Sequence, residues 1–557
     1  MASPSTFESL SANPHVLREV LQEKSILLID DIPEARRILR TMLSLCDLKK
    51  IRDASNAQDA VRLLEAGKVD IVLSDYNLGD ARDGQQLYED LLERKLVDES
   101  VIYMMITGER SYERVVRAAE LAPDDYILKP FTPSIIYSRL ERAYLKKAKV
   151  QAIIEAMLKE EWRAAANRCD EALAKPDKRY LLEILRLKGD ALFMAHDFDR
   201  AWDLFSSTYD QYRLPWAKYG MVRITRARGK LAAAAEMLEE LIVEAPTFIK
   251  AQDELAALYQ EMGEFEKAEQ VLEQANQISP NNVKRQKKLS RVAFMTGKFD
   301  LAEQVLNNIV DNCKFSVSHD PEDFALLGKV LAKQGKSQAG LTRIKEAGDR
   351  FGAANEVRVS QLASEAIVLF DTGEEEKSRK TFVSAKHMYD PGMSLSEDTL
   401  MSLAEAALRH GDEDFCNRML AALPQGDAFD SLAQARSIAR MYARAGRSDL
   451  SSGMVEARKK EVMALNDEAV LAAREKKYDT ALPVIRKAAQ ALPEDVKVIA
   501  NMVKVLLAMM RDGYWNVELE NEIVAGLAHL GTISPDTQTE LTGFHQKLKQ
   551  VIQAPAR

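Results

Sequence analysis

Five side chains whose types could do chemistry together stand at the ends of short apolar runs. Asp30 and Asp31 follow SILLI, Asp75 closes VDIVLSD, Thr107 ends VIYMMIT, and Lys129 with Pro130 ends DDYILKP. Three carboxylates brought together repel one another unless they share a divalent cation, and hard oxygen ligands select Mg²⁺. A hydroxyl and an ammonium beside such a cluster can neutralise a transferred phosphoryl group, with positioning and electrostatics supplying most of the catalysis.

The elements that must position these residues read as alternating strand and helix from about residue 24 to 147. Five apolar β candidates alternate with five helices, among them EARRILRTMLSLC, NAQDAVRLLEAG, QQLYEDLLERK, YERVVRAAELA and PSIIYSRLERAYLKKA. The strand runs are continuously apolar, which means burial on both faces and a parallel, doubly wound sheet. In such a sheet the loops at the carboxyl ends of the strands meet where sites form. Residues 1–23 are expected to be a mobile lead-in that holds a short helix, HVLREVLQEK.

In order and type, IDD, IVLSD, ITG and YILKPF resemble receiver domains of the CheY-like family across residues 24–147. The resemblance implies a flavodoxin-like five-stranded fold with Asp75 as phosphoacceptor. It implies Mg²⁺ held by Asp30, Asp31, Asp75 and the backbone carbonyl of Asn77. Thr107 would hydrogen-bond the phosphoryl group and Lys129 would pair with it. Thr107 and Tyr126 would form the switch, and Pro130 would follow a cis peptide bond. The run Asp75-Tyr-Asn-Leu-Gly-Asp departs from the common Met-Pro or Leu-Pro, and Gly108 replaces a usual alanine. Neither change removes a reacting group.

After about residue 148 the pattern is helix, turn, helix. Gly229, Gly263 and Gly297 fall 34 residues apart, each followed after two residues by Leu231, Phe265 or Phe299 and after five by Ala234, Ala268 or Ala302. Pro246 and Pro280 keep the same spacing. Small residues let helices approach closely, Gly permits the turn, and Pro ends the second helix. This resembles the tetratricopeptide repeat (TPR), with the unit 249–282 as its best copy. The expected division is TPR repeats over 148–319, degenerate TPR-like hairpins over 320–460, and a TPR-like repeat with capping helices over 461–557, together an all-α solenoid.

First helices of such repeats place Trp216, Tyr219, Arg223, Arg226, Lys250, Lys284, Lys287 and Arg291 on the concave groove. A basic, partly aromatic groove suits an acidic peptide or a free carboxyl terminus, held by charge-assisted bonds.

The whole chain narrows the choice. With 557 residues it exceeds one core, and its net charge of −9 provides no global field for nucleic acid. KRQKK is one short basic run without interleaved aromatics, and no helix-turn-helix output or catalytic output motif follows the receiver-like segment. The four cysteines stand far apart, which suits a reducing compartment. Neither a secretory signal nor a run near the roughly 18 apolar residues of a membrane helix is present. The expectation is a cytoplasmic bacterial phosphorelay protein, an enzyme only in its receiver's own phosphorylation and dephosphorylation. A histidine kinase or phosphotransfer protein would phosphorylate it, and the array would bind protein. A homodimer is an expectation of the family resemblance alone. The alternative is a constitutive TPR scaffold or adaptor whose receiver is only a docking surface.

Overall fold

The computed structural model describes all residues except 1–6, 8, 9, 12, 80–83, 99, 109–122, 175, 176, 229, 281, 313–318, 353, 425, 427, 494, 515, 516, 534–545 and 547–557. The expected helix YERVVRAAELA, together with Gly229 and Cys313, lies outside the described residues.

The receiver-like segment contains α1 (Pro14–Gln22), β1 (Ile26–Ile29), α2 (Pro33–Leu45), β2 (Ile51–Ala54), α3 (Ala57–Glu65), β3 (Ile71–Asp75), α4 (Gly84–Glu93), β4 (Ile102–Thr107), β5 (Asp125–Leu128) and α5 (Pro133–Leu158). The strands pair in the order β2-β1-β3-β4-β5, and every pairing is parallel. Side chains alternate between faces along each strand. Leu27, Ile29, Val72, Tyr103 and Met105 enter one core. Ile26, Leu28, Ile71, Leu73, Ile102, Met104, Ile106 and Ile127 enter the other. Burial on both sides explains the unbroken apolar runs.

Residues 14–22 correct the expectation of a mobile lead-in. Asn13 caps α1 through His15, and Leu17 and Leu21, one helical turn apart, are buried with Leu10 in the second core. The apolar i, i+4 pair gives the segment a face to bury.

A second difference concerns the expected boundary at 147. Thr132 caps α5, Pro133 opens it, and no Gly or Pro interrupts it before Leu158. Its first half contributes Ile136, Leu140 and Ala143 to the receiver core. Its second half contributes Val150, Ile153, Ile154 and Ala156 to the first core of the array. Leu145 packs against both.

The array continues as α6 (Trp162–Ala174), α7 (Leu181–Met194), α8 (Phe198–Tyr212), α9 (Pro215–Ala227), α10 (Leu231–Glu244), α11 (Ile249–Glu261), α12 (Phe265–Ile278), α13 (Val283–Met295) and α14 (Phe299–Asn312). Then come α15 (Pro321–Lys333), α16 (Ser337–Phe351), α17 (Asn355–Asp371), α18 (Glu375–Met388), α19 (Glu397–Arg409), α20 (Glu413–Ala421) and α21 (Ala428–Arg444). Last are α22 (Ser452–Arg474), α23 (Tyr478–Ala491), α24 (Val496–Arg511) and α25 (Val517–Ile533). Helix α22 runs through the boundary expected at 460. Among the described residues, no helix is long and apolar enough to cross a membrane.

The chain divides into two compact units, residues 1–224 with 233–323, and residues 225–232 with 324–557. Periodic alanines mark the close helix approaches: Ala165, Ala201, Ala234, Ala268, Ala302 and Ala481 are each 0% exposed. Turn glycines Gly263, Gly297, Gly335, Gly373, Gly411 and Gly446 all have positive φ, a backbone that side chains with a Cβ rarely adopt.

In the first unit, Gly189 and Gly220 both press on the buried Phe205 ring. A Cβ would stand 2.4 Å from its Cε1 at Gly189, and 2.6 Å from Cδ1, Cδ2 and Cε1 at Gly220. Gly220→Ala is therefore expected to destabilise this part of the array by about 1–3 kcal/mol, the usual scale of overpacking. Hydrogen exchange of the α7 and α8 amides checks this; unchanged protection would show that the ring can shift freely.

Candidate functional site

Parallel pairing sets the site. Leu28, Ile29, Leu73 and Ser74 are aligned in register, so Asp30 and Asp75 emerge side by side at the carboxyl edge. Asp75 lies opposite Ile106 and Thr107 opposite Leu128, which puts Thr107 and Lys129 on the next two strand ends. One carboxylate oxygen each from Asp30, Asp31 and Asp75 falls within 4.8 Å of the others. Lys129 Nζ bridges two of them, at 3.3 Å from Asp30 Oδ2 and 3.2 Å from Asp75 Oδ1. Thr107 is fully buried, its carbonyl accepts from the Lys129 amide at 2.6 Å, and Lys129-Pro130 is cis. Asn77 is exposed beside the cluster, and Tyr126 is half-buried against the first receiver core.

Burial pushes the Asp75 carboxyl up to about 6, with Asp30 adding to the effect and Lys129 opposing it. That ordering suits a carboxylate cluster that gains from a cation, because desolvated like charges are costly until a counter-charge arrives. Hard carboxylate oxygens in this number fit a divalent cation of the Mg²⁺ class.

Sequence patterning did not reveal the supports. The Ile32 amide donates to Asp30 Oδ1 at 2.9 Å, and Arg36 Nη1 to the Asp30 carbonyl at 2.5 Å. Gly84 N donates to the Tyr76 carbonyl at 2.6 Å, and a Cβ on Gly84 would stand 2.4 Å from the Asp75 carbonyl oxygen. At Gly79, with φ +74°, a Cβ would meet Asp31 Oδ2 at 2.6 Å. Close approach at both glycines, with positive φ at Gly79, gives them a reason that residue types alone conceal.

With this geometry in view, comparison with known proteins decides the family. Residues 26–141 match the response regulator receiver domain, and residues 225–282 match the tetratricopeptide repeat. Chemotaxis protein CheY-3 of Vibrio cholerae is 30% identical over 122 residues, which cover 21% of this chain and 90% of that protein. The chain belongs to the response regulator receiver family. Chemotaxis protein CheY of Pseudomonas aeruginosa is 25% identical over 122 residues, covering 94% of its length. A tetratricopeptide repeat protein from Parabacteroides merdae aligns at 14% identity and TM-score 0.28, covering 46% of this chain and 97% of that one. By the two family matches the receiver is followed by a TPR region, and its acidic cluster is typical of a phosphoacceptor site.

The groove residues read from the repeats are placed less uniformly. Trp216 packs edge-on against Phe205 at 6.3 Å, and Tyr219 is buried with its hydroxyl 3.4 Å from Glu254. Arg223 stacks over Phe193 at 4.1 Å and pairs with Asp190 at 2.5 Å. Lys250 is exposed as a residue, but its ammonium lies 5.1 Å from the Tyr219 ring centroid. Crowding that strips water from its ammonium lowers its pKa, and Arg223 adds to this. Lys287 pairs with Asp320 and, at 3.3 Å, with Asp323. Lys284 pairs with receiver residue Glu93, beside a 3.2 Å bond from Asn282 to Glu89. Arg226 is half-buried and Arg291 exposed. At least three of the expected groove cations, Arg223, Lys284 and Lys287, therefore hold carboxylates of the chain itself, and the Lys284 pair is a receiver contact.

A raised Asp75 pKa means that the folded, cation-free receiver binds more protons than the unfolded chain between the ordinary value of 3.8 and about 6. Stability therefore falls as pH rises through that window. Asp75→Asn should raise the opening free energy of the β1, β3 and β4 amides at pH 7.5 without Mg²⁺, by on the order of 2 kcal/mol. The gain should shrink toward pH 4. Hydrogen exchange at the two pH values measures it, and an equal gain at both would refute the linkage.

Proposed function

We propose that Asp75 accepts a phosphoryl group from a phosphohistidine of a kinase or phosphotransfer protein, and that the receiver's state then alters what the TPR array binds. The observation that carries this reading is Lys129 Nζ seated between Asp30 and Asp75 at the edge of a three-carboxylate cluster. An Asp75 carboxylate oxygen attacks phosphorus, the P–N bond breaks, and the imidazole leaves with its electron pair. Lys129 pairs with the new charge and the Thr107 hydroxyl bonds it. Mg²⁺, held by Asp30, Asp31, Asp75 and the Asn77 carbonyl, would supply positive charge that lets these groups and the phosphoryl oxygens coexist. Hydrolysis of the acyl phosphate by water returns the carboxylate. This is the sole enzymatic activity the reading assigns.

Transmission is assigned to α5. It is one helix from the receiver core to the array core, and Lys147 pairs with Asp124 at 3.1 Å while Lys146 pairs with Glu183 of α7 at 3.3 Å. Charge added beside Thr107 biases the β4 and β5 end of the receiver, on which α5 packs. The contact from Glu89 and Glu93 to Asn282 and Lys284 supports a second reading, a constitutive scaffold that uses the receiver as a docking module. Separated cysteines and a TPR region suit a cytoplasmic protein-binding role.

Full-length protein incubated with Mg²⁺ and acetyl phosphate should acquire one acid-stable, base-labile phosphoryl group, and Asp75→Ala should acquire none. Intact-mass spectrometry reads this; labelling of the variant to the same extent would sink the assignment. With Mg²⁺ and beryllofluoride, hydrogen exchange should change in the receiver and in α6 and α7. A Gly-Gly-Ser insertion after Lys147 should confine the change to the receiver. Propagation through the insertion would show that α5 is not the route. An array indifferent to beryllofluoride in the uninterrupted chain would favour the scaffold.

A further inference from the structure

The amino edge of the receiver sheet, remote from the acid cluster, borders a cavity of about 360 Å³. Ile71 and Ile102, the first residues of β3 and β4, line it together with the loops that lead into those strands. Val69, Leu96 and Val101 of these loops supply apolar surface. A second wall is one stripe of α5: Tyr144, Lys147, Gln151, Ile154 and Leu158 recur every three or four residues and so share a helix face. The cavity thus lies between the receiver and the half of α5 that enters the array core. Asp75 stands at the other end of β3, four residues and about 13 Å of strand away. The volume is at the small end of the range for small-molecule sites, about 300–1,000 Å³.

Four lysines, Lys24, Lys68, Lys95 and Lys147, face three carboxylates in the lining, and the carboxylates are already engaged. Asp70 accepts from the Ser25 amide and hydroxyl, both at 2.8 Å, and pairs with Lys24 at 3.0 Å. Asp98 accepts from the Ser100 amide at 2.8 Å and from its hydroxyl. Gln151 donates to Glu155 at 2.9 Å. Lys147 is held by Asp124 at 3.1 Å. Among the described residues, Lys68 and Lys95 hold no carboxylate. Burial works against ionised Asp98 and Asp70, yet both lie below the ordinary carboxylate pKa. Ser100 and the fields of Lys68 and Lys147 keep Asp98 there, and Ser25 with Lys24 keeps Asp70 there. The surroundings of the cavity therefore already favour negative charge in its wall.

We propose that this cavity binds a small organic anion, an apolar body bearing one carboxylate or phosphate, with the head drawn to Lys68 and Lys95 and the body against Val69, Leu96, Val101 and Ile154. Neither part suffices alone. Exposed lysines hold a bare ion weakly in water, and apolar surface alone does not select an anion. A bound anion touches the loops before β3 and β4 as well as Lys147 and Gln151 of α5, so it braces the helix that receiver and array share. The site adds an input to α5 at the edge remote from Asp75. It uses no residue of the phosphoryl site, and its failure would leave the receiver chemistry untouched.

The test titrates the full chain, without Mg²⁺, with 1-naphthoate, 1-naphthyl phosphate, neutral 1-naphthol and inorganic phosphate, read by calorimetry. At least one organic anion should bind about tenfold more tightly than 1-naphthol and than inorganic phosphate, the scale of one charge-assisted contact or of a buried apolar body. Which anion does so identifies the head group. Added salt should weaken the anions and not 1-naphthol. The double variant Lys68→Met, Lys95→Met should lose the preference for the anion and unfold at the parent's midpoint, since both side chains are exposed. Gln151→Trp, at an exposed position of the α5 wall, should fill the cavity and weaken every naphthyl probe. The bound anion should slow hydrogen exchange at residues 68–70, 95–98 and 146–158. Equal affinity for 1-naphthol and the anions, no binding of any naphthyl probe at millimolar concentration, protection confined to the acid-cluster edge, or parent affinity in either variant would overturn the proposal.

Discussion

One helix belongs to two cores, and much of the first unit depends on that. Ile136 and Leu140 of α5 are sealed under the receiver sheet, while Val150, Ile153 and Ile154 are sealed between the first array helices. The two sets are separated by about 21 Å of helix axis, at 1.5 Å per residue. A helix without Gly or Pro does not hinge over that distance unless it breaks hydrogen bonds. Receiver and array therefore cannot reorient independently near residue 147 without exposing apolar side chains, each worth about 1.5–3 kcal/mol when fully buried. The ion pairs of Lys146 and Lys147, one to each side, pin the helix's rotation where its apolar contacts thin out.

The same economy appears at the carboxyl edge of the sheet. Parallel register makes the meeting of Asp30, Asp31 and Asp75 unavoidable once β1 and β3 pair. Their repulsion is tempered by Lys129, while burial holds the Asp75 proton to about pH 6. Gly79 and Gly84 can lie this close to Asp31 and to the Asp75 carbonyl only because they have no Cβ. A site so compressed responds strongly to an added cation or phosphoryl group, since each changes an electrostatic balance that water cannot screen well. The fold supplies a strained charge distribution, and the chemistry proposed for it is a way of relieving that strain.

The sequence made the acid cluster legible because strand ends in a parallel sheet converge by topology, so order and residue type suffice to place Asp30, Asp75, Thr107 and Lys129. Repeats were legible for a similar reason: Ala234, Ala268 and Ala302 recur because helices approach closely there. Missed features share a different origin. The burial of Leu10, Leu17 and Leu21 depends on a surface offered by the receiver's second core. The Glu93–Lys284 and Glu89–Asn282 contacts join residues almost two hundred positions apart, with no periodic relation. The space at Gly79 is visible only once Asp31 is placed.

The groove charges show a subtler limit, which also carries its own remedy. Reading Arg223 and Lys287 as free cations counted charge along single helices. In a solenoid the nearest lateral neighbour is about one repeat away, and both residues find their acids 33 positions off, at Asp190 and Asp320. Arg285 and Asp253, 32 apart, make the same kind of pair. Lys333 and Arg409 each lie 38 positions from Asp371, the longer lag following the longer repeats. A charge in such an array is free only if positions one repeat before and after also fail to offer a counter-charge. Arg223 and Lys287 fail that test, and so their basicity serves the fold. Lys329 passes it: its counterpart one repeat later is Ile367, and its reach extends two helices to a neutral serine.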